Sequence, residues 1–402
     1  MFDQFSIRSS CRAARWSAAG LALRWVMWIA VLLLLGLPTR VADAQRLTTL
    51  VAFAVASKAD MITIATVPVG NAGNVGELSG PGAGGYGTDR ICGAVSYNYD
   101  IAKYETTAGQ YTAFLNAVGS TDTYGLYNTR MWSDTSGCKI QRANSSGSYT
   151  YSVAAGYANR PVNFVSFGDA MRFTNWLQNG QPTGEQNSTT TESGTYTLSG
   201  GTTNTALMAV AVPDATQRAT WAATGSAHWL LTSEDEFYKA AYYKGGGTNA
   251  GYWDYPTSSN TAPGRDLADA LGNNANYYTG YDPYPIDSDK FTTLAGEFQS
   301  SASPYGTFDQ GGNVWEWNDA IISGSGVGLR GGSFDSAKRT LASSYRKDID
   351  PQNELNYVGF RVASVPEPST FVLFGVGAVI VLGWTGRQQS RKAKATRSRR
   401  GK

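Results

Sequence analysis

The sequence predicts one α+β domain with much irregular backbone, spanning residues 60–364. Helical and strand-like patterns alternate along this range, and we find neither an internal repeat nor a domain boundary within it. The 402 residues include 46 glycines, and only 16% of the residues are charged, against roughly 25% in typical domains. This composition indicates an exported, loop-rich fold and argues against a helical bundle or a disordered acidic chain.

The first predicted elements are two strands and a helix. Residues 60–71 alternate apolar and polar side chains, and residues 94–105 form a second strand-like segment. Aromatic and aliphatic residues between Tyr111 and Val118 then recur at helical spacing. A threonine cap precedes them and Gly119 follows, so the helix is expected to end there.

The order of strand and helix is expected twice more. Residues 160–180 predict a strand and then a helix capped by Ser166, with Asp169 three positions on as in a capping box. Residues 228–247 repeat the scheme, with acidic residues in the first helical turn, where the helix dipole favours them. The Thr/Ser/Gly/Asn-rich segment between them, about 180–204, predicts a surface loop.

The rest of the domain predicts short strands and long loops without a long helix. In an extended segment, Trp315 and Trp317 share one face and Glu316 takes the other. Indole rings favour burial, so Glu316 lies beside a core and needs a partner. Turns at glycines 311 and 312 can bring Asp309 and backbone carbonyls near it, and such an all-oxygen set suits calcium. The alternative is an ion pair with an arginine, such as Arg330.

The N-terminus has the pattern of a secretory signal. Basic residues precede the apolar run Trp25–Leu37, and small residues form a cleavage site before Gln45. The apolar run is short for the ~20 residues of a membrane-spanning helix, so residues 1–44 are predicted to be a cleaved signal peptide. A second small-residue site would move cleavage to as late as residue 59.

The C-terminus, residues 365–402, combines a Pro-Glu-Pro sequence, the apolar segment Phe371–Trp384 and a basic tail. The basic tail is expected to remain in the cytoplasm while the apolar segment spans the membrane. This order resembles the PEP-CTERM sorting signal of Gram-negative bacteria. The resemblance implies processing by an exosortase and a final place at the cell surface or outside the cell; an ordinary membrane anchor is the alternative.

Charge and residue counts narrow the function classes. Residues 1–44 and the tail after Trp384 hold thirteen of the 33 basic residues but two of the 31 acidic ones, so residues 45–384 have a net charge of −9. An acidic body argues against a nucleic-acid partner. His228 is the only histidine, which excludes metal sites or catalytic groups built from several imidazoles. Cys92 and Cys138 remain in the exported body and predict a disulfide; two free buried thiols are the alternative.

Several separated motifs resemble the formylglycine-generating enzyme, or sulfatase-modifying factor, family. They include YDIAKYETTAGQYTAFLNAV, GGNVWEW, LRGGSFD and VGFRVAS, in the order of that family and between about Thr63 and Ser364. The resemblance implies the family's single α+β domain, which is related to C-type lectins and has little regular secondary structure.

The resemblance also implies two structural calcium sites. Each would combine side-chain oxygens with backbone carbonyls, as calcium prefers. The first site would use the side chains of Asp309 and Glu316 with the carbonyls of Gly312 and Val314. The second site would use Asn276 and Asp287 with the carbonyls of Tyr277 and Asp289.

The family's catalytic residues are not retained. Its enzymes bind copper through two cysteines, whose soft thiolates suit Cu(I). Ser336 and Leu341 stand at those places here, after Ser333 in the same segment, so no copper is expected. We therefore expect a non-catalytic surface protein that binds an extracellular polysaccharide or another surface protein. The alternatives are a purely architectural protein, or an enzyme with altered chemistry that uses Ser333, Asp335, Ser336 or Arg346.

Overall fold

A computed structural model of the chain describes residues 61–280, 285–287, 289–322, 324 and 326–365. The predicted signal peptide and the sorting segment, including Phe371–Trp384, lie outside these residues. Within them, no helix is long and apolar enough to cross a membrane. A compact unit begins at Ile64, and the description below concerns that unit.

The α+β prediction is confirmed, with short helices and strands joined by long irregular segments. The α-helices of the described residues are Ala108–Val118 (α1), Arg130–Ser133 (α2), Phe167–Gln178 (α3), Asn204–Met208 (α4), Ala215–Thr224 (α5) and Glu234–Tyr242 (α6). Two short 3-10 helices span Pro81–Ala83 and Lys338–Leu341. The strands are Thr66–Val69 (β1), Glu77–Ser79 (β2), Arg90–Cys92 (β3), Tyr99–Ala102 (β4), Ile140–Ala143 (β5), Thr150–Val153 (β6), His228–Leu231 (β7), Trp315–Ile321 (β8), Val327–Arg330 (β9), Lys347–Ile349 (β10), Val358–Phe360 (β11) and Val362–Val365 (β12).

Two four-stranded sheets organise the domain. The first has the order β1-β4-β12-β7 and is antiparallel throughout, so the first and last described strands belong to one sheet. The second has the order β10-β9-β8-β11, in which β11 runs parallel to β8. The pairs β2-β3 and β5-β6 are separate hairpin-like ribbons.

Capping residues place the long helices where the sequence predicts them. The Thr107 side chain caps α1 and accepts a hydrogen bond from the backbone N–H of Gln110, whose own side chain bonds back to the cap. Ser166 and Asp169 form the predicted capping box at α3. Reciprocal bonds of this kind satisfy amide groups that a helix leaves unpaired at its start.

Helices α1 and α3 pack through an aromatic core. Tyr111 and Phe114 of α1 contact Phe173 and Trp176 of α3, with ring centroids 5.3–6.1 Å apart. Phe360 of β11 closes the cluster against Phe173 at 5.3 Å. Edge-to-face and tilted pairs dominate, as aromatic quadrupoles favour.

Three details differ from the predictions. The strand expected before α3 is reduced to one isolated bridge at Pro161, because Phe164 adopts a left-handed backbone with φ 57°. The segment 180–204 is irregular as expected, but it contributes buried side chains such as Tyr196 and Leu198 instead of lying wholly on the surface. Helix α5 was not predicted, although Asp214 and Gln217 form a capping box at its start.

The predicted disulfide is wrong, since Cys92 and Cys138 are both free and buried. The Cys92 thiol lies 3.3 Å from a guanidinium nitrogen of Arg330, whereas the Cys138 thiol contacts the carbonyl of Asn163 at 3.9 Å. Burial raises the pKa of both thiols to about 11, so both remain protonated and unreactive at neutral pH.

Candidate functional site

The segment after β9 holds Ser333, Ser336 and Leu341, which the family resemblance predicts to stand in the degenerate catalytic site. Gly331 and Gly332 both have positive φ, which turns the chain back after β9. The Ser336 hydroxyl then lies 2.9 Å from the Ser333 hydroxyl and accepts a hydrogen bond of 3.0 Å from the Trp315 indole. Among the described residues, neither hydroxyl bonds to an imidazole, amine or carboxylate, the groups that activate a serine nucleophile.

Leu341 fills the second cysteine position with an apolar side chain. It is fully buried and packs with Ala275 and Tyr277. Its methyl groups also lie where a side chain at Gly332 would point. The arrangement is a closed core contact rather than an open ligand position.

Of the other residues considered for catalysis, Arg346 and His228 have partners elsewhere, and Asp335 is exposed. Arg346 is buried and bonds to Glu234 at 2.7 Å through two nitrogens. The single histidine, His228, stacks on Trp221 with ring centroids 3.9 Å apart.

An open cavity lies beside this segment, and we call it the tyrosine cleft. Its volume is about 580 Å³, within the usual range of small-ligand sites. Tyr86, which is 58% exposed, stacks on Tyr345 with centroids 5.1 Å apart and planes inclined by 20°. Its lining includes Glu77, Tyr86, Asp254, Tyr255, Asn260, Arg339, Ser343 and Tyr345.

A row of aromatic contacts leads from the cleft towards Ser336. Tyr345 contacts the buried Trp315 at 5.9 Å between centroids, and the Lys347 ammonium lies 5.3 Å from the Trp315 ring and 5.2 Å from that of Tyr357. The indole in turn donates to Ser336. The cleft is thus linked to Ser336 through the buried Trp315, a connection that sequence reasoning missed because Tyr86 and Tyr345 are far apart in the chain.

At the first predicted calcium site, a guanidinium already holds the glutamate. Trp315, Glu316 and Trp317 are buried as expected. Both carboxylate oxygens of Glu316 accept from Arg361, at 3.0 and 2.9 Å. Arg330, the partner considered from sequence, bonds to Glu234 instead. These contacts do not fit a calcium ion on Glu316, because its cationic partner is present in the chain.

The other ligands of that site surround the same buried region. Asp309 accepts a 2.6 Å hydrogen bond from the Gly296 amide, and burial raises its pKa to about 6. The carbonyl-bearing residues Gly312 and Val314 lie in the turn between Asp309 and Glu316. Glu105, which sequence reasoning missed, accepts from the Val314 amide at 3.2 Å and from Asn313 at 3.1 Å. Burial, then Asp309 and Glu316, raise the pKa of Glu105 well above its usual value.

The second predicted calcium site keeps one free oxygen. The Asn276 side-chain oxygen is buried without a hydrogen-bond partner, while its nitrogen donates to the Phe291 carbonyl at 2.8 Å. Asp287 pairs with Arg160, and Asp289 is exposed beside Lys290. An unpartnered buried oxygen fits a cation ligand, although no cluster of three or more acidic, histidine or cysteine side chains able to hold a metal occurs within the described ranges.

Two family models match the chain. The sulfatase-modifying factor enzyme 1-like domain matches residues 93–365, which is more than half of the chain. The PEP-CTERM protein-sorting motif matches residues 364–392. The family domain and the sorting motif that the sequence analysis predicted are therefore both confirmed. No curated protein matches the chain.

Solved structures similar to the chain come from several proteins. Treponema denticola variable protein 1 is 18% identical with a TM-score of 0.41, covering 76% of this chain and 96% of its own. CarF is 17% identical with a TM-score of 0.42, covering 75% and 98%. PvdO from Pseudomonas aeruginosa is 18% identical with a TM-score of 0.38, covering 75% and 92%. Likeness at this level carries no information about a ligand.

Proposed function

This chain belongs to the sulfatase-modifying factor enzyme 1-like family, and we propose that it is a member that binds an extracellular polysaccharide without catalysing a reaction. Its PEP-CTERM motif supports export, processing by exosortase-type machinery and membrane-anchored sorting. The cell surface is the proposed place of action, because a matrix ligand is met there. No copper chemistry is expected, since Ser336 and Leu341 replace the thiolates that would bind the metal.

The observation that carries this proposal is the tyrosine cleft. Sugar rings present C–H faces that pack on aromatic rings, and hydroxyls that need polar partners. The stacked rings of Tyr86 and Tyr345 offer an aromatic surface for the C–H faces. Asn260, Ser343 and the acidic side chains offer polar partners for the hydroxyls. A polysaccharide is favoured over a protein partner because the cleft is a concave cavity of about 580 Å³, the size of a small-ligand site.

Removing either stacked ring is expected to weaken polysaccharide binding at least about tenfold, as loss of an aromatic anchor typically does. The measurement is the retardation of the exported protein, purified after processing, during affinity electrophoresis. The gels contain the polysaccharide secreted by the organism that produces the protein. The variants are Tyr86→Ala and Tyr345→Ala.

Trp132→Ala is the matched control, because Trp132 is also an exposed aromatic residue (41%) but does not line the cleft. Its mobility should equal that of the unchanged protein. Circular dichroism establishes that each variant is folded. Unchanged retardation of both tyrosine variants would show that the polysaccharide does not bind here.

We further propose that a structural calcium ion binds at the second site. The Asn276 oxygen and the carbonyls of Tyr277 and Asp289 would hold the ion, with Asp287 released from Arg160. A ligand present at about 100 times its Kd stabilises the folded state by about 2.7 kcal/mol. Chelation with EGTA should therefore lower the melting temperature, and Asn276→Leu should abolish this sensitivity.

Glu316→Gln provides the contrast for that experiment. Because Glu316 is held by Arg361, this variant should be less stable yet remain as sensitive to EGTA as the unchanged protein. A melting curve that EGTA does not shift, after exhaustive dialysis, would refute the calcium prediction for both sites.

A further inference from the structure

Two carboxylates line the tyrosine cleft beside its rings. Glu77, in β2, is half-buried, and one of its oxygens accepts a 2.7 Å hydrogen bond from the Tyr238 hydroxyl. Asp254 is exposed at the same cavity. Among the described residues, neither carboxylate forms a salt bridge, whereas the buried acids Glu192, Glu234, Glu236 and Glu316 all do.

The surroundings of these two acids leave negative charge in the cleft. Arg339 is the single basic residue that lines it within the described part of the chain, and its side chain is exposed. Lys244 is near enough to act on Glu77, but its ammonium lies over the Trp253 ring at 4.6 Å. Burial raises the pKa of Glu77, and Asp254 raises it further. A cation bound here would stabilise the ionised form of Glu77 and so oppose both effects.

The rings favour the same kind of ligand. Tyr86 and Tyr345 stack on each other, and Tyr255 lines the cavity as well. The face of an aromatic ring carries negative charge density and attracts cations, most strongly where water is excluded. Acidic side chains and aromatic faces together make a site for an ammonium group, whereas an anionic ligand would meet Glu77 and Asp254 unfavourably.

We propose that the tyrosine cleft selects saccharides that carry a free primary amine, that is, polymers with unacetylated amino-sugar residues. The protonated amine lies against Glu77 and Asp254, and the sugar ring packs on Tyr86. This inference rests on the proposed polysaccharide-binding function and adds its ligand class. An acetylated amine has no charge and is bulkier, so it loses the attraction and meets the carboxylates without neutralising them.

Two probes of equal length test the inference. They are hexamers of glucosamine and of N-acetylglucosamine, which share a backbone and differ in the charged amine. Isothermal titration calorimetry with the processed protein should give a Kd about tenfold or more lower for the glucosamine hexamer, as one good charge pair in a partly buried site allows. The preference should shrink as salt increases, because screening weakens exposed charge pairs.

Variants separate this inference from the proposed function. Glu77→Gln and Asp254→Asn should reduce the preference for the free amine to about threefold or less, while leaving binding of the acetylated hexamer unchanged. Tyr86→Ala should lower the affinity for both hexamers. Glu185→Gln removes an exposed carboxylate that does not line the cleft, and it should leave both affinities unchanged.

The outcomes divide clearly. Equal affinity for the two hexamers overturns the amine inference while polysaccharide binding stands. A preference for glucosamine that survives in both Glu77→Gln and Asp254→Asn places the amine elsewhere and also overturns it. Binding of neither hexamer overturns it too; the proposed function is then decided by the gel retardation of Tyr86→Ala and Tyr345→Ala.

Discussion

Replacing Arg361 with methionine is expected to destabilise the folded protein by about 3–5 kcal/mol, the usual cost of removing one partner from a buried ion pair. The guanidinium is fully buried, binds both oxygens of Glu316, and donates to the carbonyls of Ala102 and Phe308 at 2.8 Å each. It is the counter-ion of a buried group that also contains Glu105 and Asp309. Without it, Glu316 and two carbonyls lose their hydrogen-bond donor, and Glu105 and Asp309 lose the nearby positive charge.

Urea unfolding at pH 7 measures this effect. Arg130→Met is the control, since Arg130 is 56% exposed and its ion pair with Asp134 at 3.4 Å lies on the surface; about 0.5 kcal/mol or less is expected. Adding Glu316→Leu to Arg361→Met should recover part of the loss, because the orphaned carboxylate is then removed. A loss for Arg361→Met no larger than for Arg130→Met would show that something other than Arg361 neutralises Glu316.

The second large effect is expected for Glu234→Gln, again about 3–5 kcal/mol. Glu234 begins α6 and binds three arginines, Arg90, Arg330 and Arg346, at 2.7–3.0 Å. These bonds tie β3, β9 and the segment before β10 to one helix end. A neutral amide would leave the buried cations Arg330 and Arg346 without their carboxylate, whereas Arg90 keeps its ion pair with Asp235 at 2.6 Å.

The pH dependence of that loss is a sharper test. Burial opposes ionisation of Glu234, but the three arginines outweigh it and lower its pKa from 4.5 to about 2. Its stabilising contribution is therefore complete above about pH 4.5 and is lost as the pH falls towards 2. The difference in unfolding free energy between the unchanged protein and Glu234→Gln should shrink over this window.

Two other buried acids make the protein less stable as the pH rises, so their effect has to be separated from that of Glu234. Burial raises the pKa of Asp319 to about 7 and that of Asp309 to about 6, so each loses stabilisation as the pH rises through those values. The unchanged protein and Glu234→Gln both contain these groups, so the difference between their unfolding free energies isolates the contribution of Glu234. A difference that stays constant from pH 5 to pH 2.5 would contradict the assigned ion pairs.

Local signals allowed the main elements to be predicted. Helices α1, α3 and α6 begin at a capping side chain and contain apolar residues at helical spacing, and all three form where expected. Helix α5 has the same capping signal, but of its residues Arg218 alone is buried. Because α5 has no apolar stripe, the helical periodicity of apolar residues does not predict it.

The site was predictable only as far as neighbouring residues determine it. The alternation of Trp315, Glu316 and Trp317 correctly indicates a strand with a buried acid. The identity of the acid's partner is not local, since Arg361 follows 45 residues later and competes with Arg330, which pairs in register with Glu316 but turns to Glu234. The tyrosine cleft likewise depends on a contact between Tyr86 and Tyr345 that only the folded chain creates.

The position of β12 determines how the protein can be tethered. This strand lies between β4 and β7, inside its sheet, and its final residues coincide with the start of the sorting motif at residue 364. Proteolytic trimming must therefore stop beyond Val365 if the sheet is to survive. The tail therefore continues from a strand that has antiparallel, hydrogen-bonded neighbours on both sides. A force directed along β12 would load both ladders in shear at the same time, whereas a force across the strand would break their bonds one after another.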